Sequence, residues 1–142
     1  LEIEIVGRVK HTLNLVGEHL SLENMNKAVQ NTNNLFGISA EEFCVLPSKK
    51  GNRHHWYIGT NQMVDHQKYA VYLNKALEEV NDDYTYVRQY LLKTPRVKML
   101  PIQKFYEFME KKGKMGAQHK FPRVLNKIQA SEWEAFLSSF DW

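Results

Sequence analysis

Apolar and polar positions along this chain switch several times between a period of two and a period near 3.6, and each switch marks an element. Leu1, Ile3 and Ile5 alternate with Glu2 and Glu4, which predicts a half-buried strand ended by Gly7-Arg8. Thr12 to Val16 predicts a second short strand, turned by Gly17 into His19-Leu20. Ser21 then stands as an N-cap, its hydroxyl oxygen placed to accept a free amide of the first helical turn. Leu22, Met25, Val29, Thr32 and Phe36 follow at helical spacing until Gly37 stops the helix. Glu42 to Leu46 predicts a strand with Phe43 and Val45 on one face. Lys49-Lys50-Gly51-Asn52 has turn chemistry, and His54 to Ile58 returns as its hairpin partner.

The second half is richer in helix. Asp65 caps a stripe formed by Tyr69, Leu73, Ala76, Leu77 and Val80, which Asn81-Asp82-Asp83 interrupts. Tyr84, Val87 and Leu91 predict a further short helix closed by Pro95. Val97 to Leu100 predicts a strand, and Pro101 denies it a central place beyond that point. Phe105, Phe108 and Met109 line the next helix, and Trp133, Phe136, Leu137 and Phe140 mark a last one. That last apolar face must dock, because burying each such side chain contributes roughly 1.5–3 kcal/mol. With no internal repeat and no linker, residues 1–142 read as a single domain. The predicted class is α+β, with a small mixed or antiparallel sheet flanked by helices.

Composition narrows the functional classes. The 142 residues are 43% hydrophobic and 25% charged with a net charge of +3, an ordinary globular make-up that does not call for nucleic acid. No apolar run is long enough to span a membrane. The single cysteine, Cys44, excludes an internal disulfide and points to a reducing, cytoplasmic setting. Starting at Leu1, already within a strand pattern, the chain reads as a piece of a longer protein.

Several residue types invite chemistry and then fail its spacing requirements. The six histidines fall in no His-x-x-x-His arrangement and Cys44 has no sulfur partner, so no metal site is expected. Cys44 sits in an apolar strand pattern, where a thiol is usually buried and inert. Glu41-Glu42 and Asp82-Asp83 read as caps or solvated turns rather than acid/base couples. The tyrosines and tryptophans fall on element stripes, as core residues do.

What remains is the stretch from Lys111 to Arg123, with five cations, two glycines and a proline in thirteen positions. Glycine lets backbone amides approach an anion, and lysine brings a point charge on a long stem. Pro122 holds Phe121 extended and keeps Lys120 out of a helix. Such a loop suits a phosphate, although Gly113-x-x-Gly116 is not a Walker loop because Gly-Lys-Ser/Thr is missing.

The pattern Gly113-Lys114-x-Gly116-x-Gln118-His119-Lys120-x-Pro122-Arg123 resembles the C-terminal signature of bacterial relatives of the Gretchen Hagen (auxin-responsive) acyl-acid amido synthetases. Upstream, Gly7-Arg8-x-Lys10, an apolar strand, Gly17 and the helix from Leu22 resemble the hinge that opens the mobile C-terminal domain of adenylate-forming enzymes. Between them, Asn81-Asp82-Asp83-Tyr84 resembles an Asn-Ser-Asp-Tyr stretch of the bacterial group, and His55 to Ile58 has its counterpart. Ala117 stands where that group has Gly, and Phe121 where it has Val.

The resemblance implies the C-terminal lid domain of a ligase that joins a carboxylic acid to ATP and then passes the acyl group to an amine or amino acid. Lys120 takes the catalytic place. Lys114, which follows a glycine as the lysine of more distant adenylating enzymes does, is the runner-up. Gly113, Lys114, Gly116, Gln118 and Arg123 are the implied nucleotide- and phosphate-binding residues, and Gly7, Arg8 and Lys10 the implied hinge. Arg123 has a second reading, as a carboxylate partner or helix-end residue. Implied partners are the chain's own N-terminal domain and small acid and amine substrates. Magnesium accompanies ATP in the full-length enzyme, and no cofactor is held tightly by this domain alone. The competing reading is a non-catalytic phosphate- or nucleic-acid-binding module. Clustering of the cations in one loop, without interleaved aromatics, disfavours a nucleic-acid role.

Overall fold

The computed structural model describes residues 12–15, 17–40, 42–113 and 121–138. The expected first strand, the hinge triplet, residues 114–120 and Phe140 lie outside them. A two-residue strand β1 (Thr12–Leu13) pairs antiparallel with β2 (Leu20–Ser21). Helix α1 (Leu22–Phe36) follows directly. Ser21 caps it in a reciprocal box with Asn24, and Gly37 ends it in the left-handed region at φ 63°.

Next come the hairpin β3 (Glu42–Pro47) and β4 (His54–Gly59), helices α2 (His66–Val80) and α3 (Asp82–Tyr90), and strand β5 (Arg96–Leu100). β4 lies in the middle of this sheet, antiparallel to β3 and parallel to β5. The small sheet is therefore mixed, as a helical crossover between β4 and β5 requires. Helices α4 (Ile102–Lys111) and α5 (Lys127–Phe136) complete the described chain.

The pleat sends alternate side chains into two cores. Phe43, Val45, Trp56, Ile58 and Val97 meet Met25, Val29, Tyr69, Leu73, Leu77 and Tyr84 from α1–α3 on one face. Cys44, Leu46, Tyr57 and Leu100 meet Phe105, Phe108 and Trp133 from α4 and α5 on the other. Hence the near-continuous apolar run from Phe43 to Leu46: both faces of β3 are covered. Cys44 is fully buried, and burial pushes its thiol well above the ordinary range. At Gly59 a Cβ would come within 2.8 Å of the Phe105 ring, so only glycine lets α4 pack this close to β4.

One periodicity is off by a residue. Leu91, assigned to the stripe of α3, is the exposed C-terminal cap, while Leu92 is buried. The amides of both bond to the Val87 carbonyl, so the helix ends at Tyr90 rather than being closed by Pro95.

Candidate functional site

The basic loop is held at both stems. At its start, α4 ends at Lys111, and Gly113 turns the chain at φ 73° with its N–H donating to the Glu110 carbonyl. At its end, Phe121 is buried edge-on against Trp133 and Phe105, with ring centroids 4.9 Å away in both cases. The phenylalanine that departs from the family pattern thus fills an aromatic cluster. Beyond it, the Val45 N–H donates to the Arg123 carbonyl at 2.7 Å and the Leu125 N–H to the Val45 carbonyl at 3.1 Å. Val45 and Val124 form a parallel bridge, so the returning chain runs along the outer edge of β3.

Three of the loop's five cations are engaged by the protein itself. Lys111 Nζ lies 5.8 Å from the Phe136 ring centroid, and Lys112 Nζ donates to Glu132 Oε2 at 2.6 Å. Arg123 Nη1 donates to Glu42 Oε1 at 2.7 Å and to the Phe43 carbonyl at 3.0 Å, with its guanidinium 4.5 Å from the Phe43 ring centroid. Of the two roles open to Arg123, it fills the carboxylate-partner one. Glu42 begins β3, as the strand pattern predicts, but its carboxylate is engaged in this half-buried pair rather than in a cap or solvated turn. The remaining loop cations, Lys114 and Lys120, lie outside the described residues, as do Gly116 and Gln118. Among the described residues, no three His, Cys, Asp or Glu side chains gather in a way that would hold a metal.

The family model for the GH3 family C-terminal domain matches residues 23–129, well over half of the chain. The chain belongs to the GH3 family. In fold, the domain is similar to the structure titled "GH3.15 acyl acid amido synthetase", with a TM-score of 0.70 at 17% identity over 87% of this chain. It is likewise similar to "AtGH3.15 acyl acid amido synthetase in complex with 2,4-DB", with a TM-score of 0.66 at 18% identity over 87% of this chain. The GH3 chain described here spans only 25% of either. A sequence search of curated proteins found no match.

Within this GH3 domain the segment that follows the expected hinge is tied down by polar residues that sequence reasoning passed over. Asn14 Oδ1 accepts from the Gly17 and His19 amides, shaping the turn between β1 and β2. Glu18, on that turn, is fully buried, and its Oε2 lies 2.6 Å from His54 Nε2 on β4. Asn81 caps α3 by accepting from the Tyr84 N–H at 2.7 Å, and its amide donates to the His19 carbonyl and to Asn24 Oδ1. The Asn81-to-Tyr84 stretch therefore serves as a cap on α3 and a clamp on the turn between β1 and β2. A charged residue between Gly17 and apolar Leu20 was the available signal for Glu18, but its partner lies 36 positions away.

Proposed function

We propose that this chain is the C-terminal domain of an ATP-dependent acyl-acid amido synthetase, closing over an N-terminal domain that binds most of the nucleotide and the acid. The observation that carries this reading is the family match over residues 23–129. The solved relatives named as acyl acid amido synthetases support it, as does the anchoring of both stems of the basic loop. In adenylation, negative charge gathers at the α-phosphate as a carboxylate attacks and pyrophosphate leaves. A preorganised cation in a water-poor site stabilises that charge far more than one in water. Lys120 is assigned this role. Lys114, Gln118 and the glycines Gly113 and Gly116 shape the phosphate contact, and Arg123 holds the loop's return to β3. Gly7, Arg8 and Lys10 form the hinge on which the domain swings between adenylation and amide formation. Hinges of this kind consist of a few positions that absorb large φ/ψ changes.

The reading is tested by acid-dependent exchange of labelled pyrophosphate into ATP. The full-length protein is expected to catalyse it, and this domain alone to be folded and inactive. Exchange by the isolated domain above that of its Lys120→Ala variant, or no exchange by the full-length protein with any carboxylic acid tried, would overturn the proposal.

A further inference from the structure

Away from the loop, a second concentration of positive charge lines an open cleft of about 1290 Å³. Lys49, Lys50 and Arg53 come from the β3–β4 turn, Lys93 from the link between α3 and β5 and Arg96 from the start of β5, and Lys127 from the first turn of α5. Glu134 is the one carboxylate among the described lining residues. The walls are fixed to one another by backbone bonds. The Lys93 N–H donates to the Asn52 carbonyl at 2.7 Å, and the Ser48 N–H to the Arg53 carbonyl at 2.8 Å. Leu46, Pro47, Leu125 and Ala130 add an apolar floor.

None of the six cations has a carboxylate within ion-pair distance among the described residues, whereas Arg88, Lys112 and Arg123 elsewhere are bonded to neighbours. Like charges held together without counter-charges repel one another, and a bound polyanion relieves that repulsion. Half-buried His55, in the same wall, feels this field: burial first, then Arg96, Arg53, His54 and Lys98, lower its pKa to about 4. The first-turn amides of α5 add partial positive charge beside Asn126. Among the described residues no Phe, Tyr or Trp lines the cleft, so they offer no platform for a base to stack upon.

We propose that this cleft is a binding site for oligophosphates, chains of two or more linked phosphates whose charge is met by cations from three separate segments. A single phosphate spans too few of those segments to bind well. The chemistry is shared by inorganic polyphosphates and by the phosphate tail of a nucleotide, and the cleft recognises the phosphates alone. The site shares no described residue with the loop from Lys111 to Arg123.

The test is calorimetric titration of the 142-residue chain with inorganic tripolyphosphate at low salt. Binding at one site is expected, weakened about tenfold or more by Arg53→Ala or Arg96→Ala, the scale of a lost charge-assisted hydrogen bond. Lys49→Glu, a change on an exposed turn that leaves the core untouched, weakens it as well. Lys27→Ala, at an exposed cation of α1 that does not line the cleft, leaves it within about twofold. ATP binds with the affinity of tripolyphosphate. On binding, the His55 imidazole resonances titrate at higher pH, because the ligand offsets the field of Arg53 and Arg96. The proposal is overturned by the absence of saturable binding, by affinity indifferent to Arg53 and Arg96, or by an equal loss in Lys27→Ala. ATP binding far tighter than tripolyphosphate would overturn it too, as would a single-stranded oligonucleotide that tripolyphosphate cannot displace.

Discussion

Arg123 and Glu42, 81 positions apart, are joined by an Nη1–Oε1 hydrogen bond of 2.7 Å that closes the returning end of the basic loop onto the first residue of β3. The guanidinium also stacks over Phe43 and reaches its carbonyl. A hydrogen bond to a charged group contributes about 1.5–3 kcal/mol, and this pair is mostly shielded from solvent. Arg123→Ala is expected to lower the stability of the domain by about 2 kcal/mol, read as a lower urea midpoint at unchanged slope. Arg123→Lys should recover little, since an ammonium neither stacks nor forks in the same way. An unchanged midpoint would mean that Arg123 is held for a ligand and not for the fold.

The second expectation concerns Glu18 and His54. Both are buried and their side chains meet at 2.6 Å, so removing either takes a short buried hydrogen bond from the other. His54→Ala is expected to cost about 1.5–3 kcal/mol, the scale of a hydrogen bond to a charged group. Replacing both with apolar residues of similar volume should return part of that loss, because neither member of the pair is then left facing an apolar substitute. A double-mutant cycle by denaturant unfolding checks it, and additive losses would show that the two side chains do not act as a pair. The turn carrying Glu18 joins β1 to β2, so a domain that loses this pair also loses a tie between that turn and β4.

The same two pairs show where sequence reasoning stops. Local signals were legible: Ser21, Asp65 and Gly37 sit at the caps their chemistry demands, and the Lys49–Asn52 turn joins the expected hairpin. The stripe Phe105, Phe108 and Met109 faces the core as its spacing requires. These features depend on neighbours a few residues away. Glu18–His54 and Glu42–Arg123 depend on how distant segments stack, and a hydrophobic period says nothing about polar partners. The parallel pairing of β4 with β5 was left open for the same reason, since strand direction follows from the crossover through α2 and α3. The assignment of Lys120 as the catalytic lysine and of Gly7, Arg8 and Lys10 as a hinge rests on family resemblance alone.

Acid should weaken the fold through His55. Its pKa in the folded domain is about 4, against about 6.5 in an unfolded chain, because burial and neighbouring cations oppose its charge. Below about pH 6.5 the unfolded state therefore binds a proton that the folded state refuses, and stability falls as pH drops towards 4. The loss attributable to this residue is on the order of 2 kcal/mol, allowing for its partial solvation. His55→Gln should flatten the stability profile between pH 4 and 6.5 while leaving it little changed at pH 8. A profile with the same slope in the variant would assign the acid sensitivity to other groups.

The sharpest expectation separates Lys120 from Lys114 in the full-length enzyme. Both belong to a loop anchored at Gly113 and Phe121 and each adjoins one of these stems, but the two stems are held differently. Lys120 immediately precedes buried Phe121, so its backbone starts from a point held by the Trp133 cluster. Lys114 follows Gly113, whose left-handed conformation has no such packing behind it. A lysine must be aimed before it can stabilise charge that exists only in the transition state, so anchoring favours Lys120. Lys120→Ala is expected to slow acyl-adenylate formation by about 100- to 1000-fold, with kcat and kcat/KM falling together. Lys114→Ala should cost only a modest factor, through weaker attraction of a polyanion. Lys120→Arg should not restore the rate, because a planar fork does not replace a compact ammonium. Pyrophosphate exchange at saturating acid and ATP distinguishes these outcomes. If the large defect follows Lys114 instead, the assignment moves to the other stem, and if neither substitution slows exchange, the loop has no part in the chemical step.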